Sequence, residues 1–95
     1  MTITVKVLGP LIKIVGGATF TLDVTPGTTV RELMQQVFHT YGDAMKEQVM
    51  NEGGTDLAPY YKILINGRNS KLMHYLDTEL EEGQVVHIMP PVAGG

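Results

Sequence analysis

From Thr2 to Leu8 apolar and polar residues alternate, with Ile3, Val5 and Val7 on one face and Thr4 and Lys6 on the other. A period of two predicts a half-buried strand. Gly9-Pro10 breaks the pattern, and Gly16-Gly17 predicts the turn of a hairpin. Alternation resumes over Thr19 to Val24, with Phe20, Leu22 and Val24 inward, and Pro26-Gly27 ends it. The period then changes to that of a helix. Val30, Leu33, Met34, Val37, Phe38 and Tyr41 form one wide apolar stripe. Thr29-Val30-Arg31-Glu32 matches a capping box at its start, and Gly42 is placed to stop it.

Ala44 to Met50 has the length of a short second helix, and Asn51-Glu52-Gly53-Gly54 reads as a loop. Tyr61 to Asn66 predicts a third strand with Tyr61, Ile63 and Ile65 on one face. Asn66-Gly67 is a tight-turn dipeptide, so a short strand near Asn69 to Leu72 is expected to pair back. Leu76-Asp77-Thr78 and Gly83 bracket a turn or short helix. Val85 to Met89 is the last strand, with Val86 and Ile88 toward the core and Val85, His87 and Met89 outward. Lys62, Leu64 and Asn66 share that outward parity, which predicts an apolar docking patch at Leu64 and Met89. The element order implies an α+β fold: a β-grasp, ubiquitin-like mixed sheet with one main helix packed on one face. Its first and last strands would lie parallel at the centre. Residues 1–89 form the expected domain, and residues 90–95 form an extended, flexible tail ending in Gly94-Gly95.

Composition narrows the chemistry. A net charge of −3 without a basic cluster argues against nucleic acid as a partner. The chain has no cysteine, which excludes disulfides, thiolate metal sites and a cysteine nucleophile of its own. Any sulfur it handles must be carried elsewhere than on a side-chain thiol. The N-terminal stretch lacks the features of a signal peptide, and no run has the length of a membrane span, so the cytoplasm is the expected location. His39, His74 and His87 show no metal-ligand spacing and read as solvated or turn histidines. Glu79, Glu81 and Glu82 read as a solvated turn or as partners of a basic groove. Asp77 and Thr78 read as turn caps, and no metal site is expected.

Ile63-Leu64-Ile65-Asn66-Gly67-Arg68, Leu76 to Gly83, and Val86-His87-Ile88-Met89-Pro90-Pro91-Val92-Ala93-Gly94-Gly95 together resemble the MoaD/ThiS family of ubiquitin-like sulfur carriers. Within it they look most like the molybdopterin synthase small subunit. Tyr75, where a small residue is frequent, and Gln84, where an acid is frequent, depart from the family's pattern. Residues 43–60 are also longer than in its shortest members.

The resemblance implies that an ATP-using, ubiquitin-activating-like adenylyltransferase activates the Gly95 carboxylate. A sulfurtransferase donor then supplies sulfur, leaving a thiocarboxylate. The implied acceptor is the molybdopterin synthase large subunit, with no cofactor bound to the carrier itself and no catalysis by it alone. Alternatives that share the activation step are a protein modifier joined through Gly95 to target lysines and a carrier for another thio-metabolite, thiazole or cysteine. The tail suits such chemistry physically. Gly94 and Gly95 have no Cβ to obstruct an active-site channel. Pro90 and Pro91 lack an N–H and prevent the last strand from continuing its ladder. At ~3.1 Å per residue an extended tail reaches roughly 19 Å. Ordering its last four residues costs on the order of 4–8 kcal/mol. Contacts along Pro90, Pro91, Val92 and Ala93 would struggle to offset that alone, so the folded body should dock too.

Overall fold

The computed structural model describes residues 1–91. Five strands form one mixed sheet in the order β2-β1-β5-β3-β4, comprising β1 (Thr2–Val7), β2 (Thr19–Asp23), β3 (Lys62–Ile65), β4 (Arg68–Asn69) and β5 (Val85–Met89). β1 and β5 run parallel at the centre, with Val5 beside Val86 and Val7 beside Ile88. The other pairings are antiparallel. This is the β-grasp arrangement expected from the element order.

The parity of each strand decides its two faces. Ile3, Val5, Val7, Ile63, Ile65, Val86 and Ile88 are all buried on the inner side. They form one cluster with Val30, Leu33, Met34 and Val37 of helix α2 (Val30–Tyr41). Fully burying a Leu or Ile side chain stabilises by about 1.5–3 kcal/mol, so this layer dominates the fold. Phe20 and Leu22 are only half-buried, because β2 is an edge strand; Phe20 meets Tyr41 edge-on at 4.9 Å between ring centroids.

The capping box is present at the start of α2. Thr29 Oγ1 accepts from the Glu32 amide at 3.2 Å, and Glu32 Oε1 accepts from the Thr29 amide at 3.1 Å. At the other end Gly42 takes φ +85, which allows the chain to turn directly into α3 (Asp43–Val49). The expected second helix therefore exists, and Met45 and Val49 bury it against the common core.

Three expectations need correction. Between β1 and β2 the connection is more than a hairpin turn: Leu11–Val15 form a short helix, α1, closed by Gly16 in the left-handed region. The pairing strand after Asn66-Gly67 spans only Arg68–Asn69. Asn69 Oδ1 accepts from the Lys71 amide and turns residues 70–72 into a tight 3-10 turn. β3 begins at Lys62 and ends at Ile65, because Asn66 already belongs to the turn at φ +49.

Candidate functional site: the outer sheet face and the tail root

β5 ends at Met89, and Pro90 and Pro91 follow without a strand pairing. The expectations for Val92, Ala93, Gly94 and Gly95 lie outside the described residues. What the structure places is the root. Pro90 packs at the corner after β1, where a Cβ on Gly9 would lie 3.4 Å from Pro90 Cγ. Gly9 also has φ +58, so the position favours glycine on two counts. Leu8, directly after the Val7–Ile88 pair, is 44% exposed beside this root.

Leu64 and Met89 do face outward, but they are half-buried and not directly opposite each other. Leu64 pairs with His87, and Met89 pairs with Lys62, so the two apolar residues are diagonal neighbours across β3 and β5. Such diagonals lie ~7–8 Å apart, within reach of one partner side chain. Lys6 pairs with His87 from the β1 side. Near the tail the outer face is thus an apolar diagonal flanked by two ammonium groups, within a chain of net charge −3. The sheet's acids on this side cluster at its far end. Asp23 accepts from the Thr2 hydroxyl, and Glu82 accepts from the Thr2 amide.

His87 departs from the reading of a solvated or turn histidine. It stands mid-strand, half-buried, and its Nδ1 is buried without a hydrogen-bond partner among the described residues. The signal for it was the strand parity itself, which placed His87 between Leu64 and Met89. His39 and His74 are exposed as expected.

The start of β5 is fixed by the turn before β4. The Asn66 amide donates to the Val85 carbonyl at 2.8 Å, and the Val85 amide donates to Asn66 Oδ1 at 2.7 Å. One asparagine therefore reverses the chain and registers the strand that carries the tail. Thr78 acts as a cap, accepting from the His74 amide at 3.0 Å. Asp77 instead pairs with Arg31 at 3.4 Å.

The two departures noted in the sequence also acquire reasons. Gln84 Oε1 accepts from the Glu81 amide at 2.8 Å, a task that a carboxylate oxygen could equally perform. Tyr75 sits at φ +53, where a residue without a bulky side chain is favoured. Its hydroxyl donates a short hydrogen bond to Asp56, joining the 3-10 turn at residues 75–77 to the loop after α3. Burial, with help from the Asp56 carboxylate, pushes the Tyr75 hydroxyl up to about 12. The same bond, with the Leu57 amide, holds Asp56 below its ordinary value.

The model of the ThiS family matches residues 5–95, from the first strand through the diglycine. The chain belongs to the ThiS family. Among relatives of this ThiS-family chain, a candidate sulfur carrier protein of Archaeoglobus fulgidus is 34% identical over 67 residues, 70% of this chain and 74% of that one. Small archaeal modifier protein 3 of Haloferax volcanii is 28% identical over 83 residues, 87% of each chain. The solution structure of small archaeal modifier protein 1 from Methanosarcina acetivorans superposes with a TM-score of 0.83 at 27% identity, covering 99% of this chain and 96% of that one. The likeness therefore spans the β-grasp body as well as the tail.

Proposed function

We propose that this chain is a sulfur carrier whose working group is the Gly95 carboxylate, and that it serves as the small subunit of molybdopterin synthase. The observation that carries this reading is the family match running through Gly95, on a tail rooted at the end of a central strand. A carboxylate is a poor electrophile. In the first step its oxygen attacks the α-phosphorus of ATP on a ubiquitin-activating-like adenylyltransferase, and pyrophosphate leaves. In the second, the outer sulfur of a sulfurtransferase persulfide attacks the acyl carbon and AMP leaves. A thiol then attacks the donor's sulfur in the acyl disulfide, releasing the thiocarboxylate and leaving a disulfide on the donor. In the synthase large subunit the thiocarboxylate sulfur then attacks the pterin precursor, displacing an oxygen substituent, and water cleaves the resulting acyl–sulfur bond to return the Gly95 carboxylate. Gly94 and Gly95 keep the acyl carbon open to attack.

The body contributes docking through Leu64, Met89, Pro90 and Pro91, with Lys6 and Lys62 steering a partner of acidic surface. In sequence, Val92 and Ala93 join that surface to Gly94 and Gly95.

Deleting Gly95 should leave a folded domain that accepts neither AMP nor sulfur from its activating enzyme. Retained adenylation of the shortened chain would refute the reading. A second reading is favoured by the relationship to small archaeal modifier protein 3: the same acyl-adenylate, attacked by a lysine amine, gives an isopeptide. Intact mass of the chain from cell extract, beside a blot for an N-terminal tag, separates the two. Exchange of a terminal oxygen for sulfur supports the carrier, and a ladder of higher-mass conjugates supports the modifier.

A further inference from the structure

Across the molecule from the outer sheet face, α2, α3 and the loop after α3 enclose a groove of about 130 Å³. Met34, Phe38, Met50 and Leu76 line it, together with Arg31 and Lys46. Its volume is close to the roughly 150 Å³ of a cavity that admits benzene. It is well below the ~300–1,000 Å³ of pockets that hold metabolites. The groove therefore has room for a single apolar side chain and is too small for a nucleotide or cofactor. Two methionines in its walls supply flexible, polarisable contact with a side chain of varied shape.

The charged side chains of the lining are both cations, in a chain of net charge −3. Among the described residues Arg31 is paired only with Asp77, at 3.4 Å, and the two side chains are 44% and 76% exposed. A pair this exposed contributes little and is readily exchanged for another carboxylate. Lys46 is backed by the loop after α3. A Cβ on Gly54, which has φ +69, would stand 3.8 Å from Lys46 Cε, so the glycine brings the backbone close to the lysine stem.

We propose that this groove docks an acidic partner peptide. One apolar side chain of the peptide inserts among Met34, Phe38 and Met50, and its flanking carboxylates pair with Arg31 and Lys46. The site does not depend on what happens at Gly95. Because α2 lies between the groove and the sheet, occupation leaves Leu64, Met89 and the tail root free. A carrier could then be held by one partner while its tail engages another.

The test is titration of the ¹⁵N-labelled full chain with the peptide acetyl-Glu-Asp-Phe-Asp-Glu-amide. Saturable amide shifts are expected at Met34, Phe38, Met50 and Gly54, with Leu64, His87 and Met89 unmoved. Replacing the peptide's phenylalanine by alanine should abolish binding. Lys46→Glu and Arg31→Glu should each weaken it about fivefold. Both side chains are exposed, so an otherwise unchanged spectrum will show that the variants remain folded. The proposal is overturned by absence of shifts up to about 5 mM peptide or by shifts centred on the outer sheet face. It is equally overturned if the alanine peptide binds as well, if the charge reversals have no effect, or if phenylacetate alone binds as tightly as the peptide.

Discussion

The two sides of β3 and β5 are built from alternate residues of the same short segments, yet they differ in burial and in charge. Ile63, Ile65, Val86 and Ile88 are at most 2% exposed and belong to the core. Leu64, His87 and Met89 are interleaved with them, half-buried, and bordered by Lys6 and Lys62. On the inner side these residues belong to one apolar cluster, so close packing is their contribution. On the outer side apolar area is partly open beside exposed ammonium groups, a combination that a solvent-facing strand gains nothing from by itself. If the outer face docks a partner as proposed, stability and recognition are separated by a single step along β5. A substitution should therefore disturb one without the other, depending only on its parity.

The strongest way to break that separation is to compare neighbours. Ile88→Ala leaves a cavity beneath α2 and should cost about 2–5 kcal/mol in urea denaturation. Met89→Ala, one residue on, should cost about 1 kcal/mol, a typical value for a partly buried site. Equal losses at the two positions would show that the outer face is merely a thinner part of the core. A smaller effect is expected from charge. Replacing Lys6 and Lys62 together by Glu should leave the urea midpoint nearly unchanged. It should slow association with the activating enzyme about tenfold at low salt, with the difference shrinking as ionic strength rises. An association rate indifferent to both charge and salt would remove the outer face from the docking surface.

The legible part of this molecule was what repeats locally. Alternation placed β1, β2, β3 and β5 and gave the correct inward residues of each. Thr29 and Glu32 marked the start of α2 to the residue, because a capping box is closed within four positions. The element order then implied the parallel central pair. α1 was missed because the segment is short, its Ile12, Ile14 and Val15 are β-branched and weak helix formers, and Gly16-Gly17 has the composition of a hairpin turn. The better signal was Pro10 before the segment and Gly16 after it, the usual asymmetry of helix ends. Two features had no local signature at all. The groove is assembled from α2, α3 and two loops, and the Tyr75–Asp56 bond joins residues 19 apart in sequence. Such contacts follow from how the elements pack, which a periodic pattern does not encode.

The smallest effect concerns that last contact, on the helical side of the molecule, where Tyr75 packs against the edge of the core. Tyr75→Phe keeps the ring and the φ of +53 but removes the hydroxyl that donates to Asp56. The loss should be about 0.5–1.5 kcal/mol at neutral pH. The pH dependence gives the cleaner reading. The Tyr75 hydroxyl is raised from 10.0 to about 12 in the folded chain. A raised value means that the unfolded chain gives up its proton first. The stability linked to the neutral hydroxyl, from its burial first and the Asp56 bond second, is therefore whole below pH 10 and disappears as pH climbs from 10 to about 12. Asp56 is shifted the opposite way, below its ordinary 3.8. Its share is present above pH 3.8 and is lost as the pH falls through its lower folded value. Urea midpoints measured across both windows should slope for the native chain, with Tyr75→Phe removing the alkaline slope that belongs to this residue and diminishing the acid one. If the two proteins lose stability in parallel above pH 10, the hydroxyl does not tie the loop after α3 to the 3-10 turn.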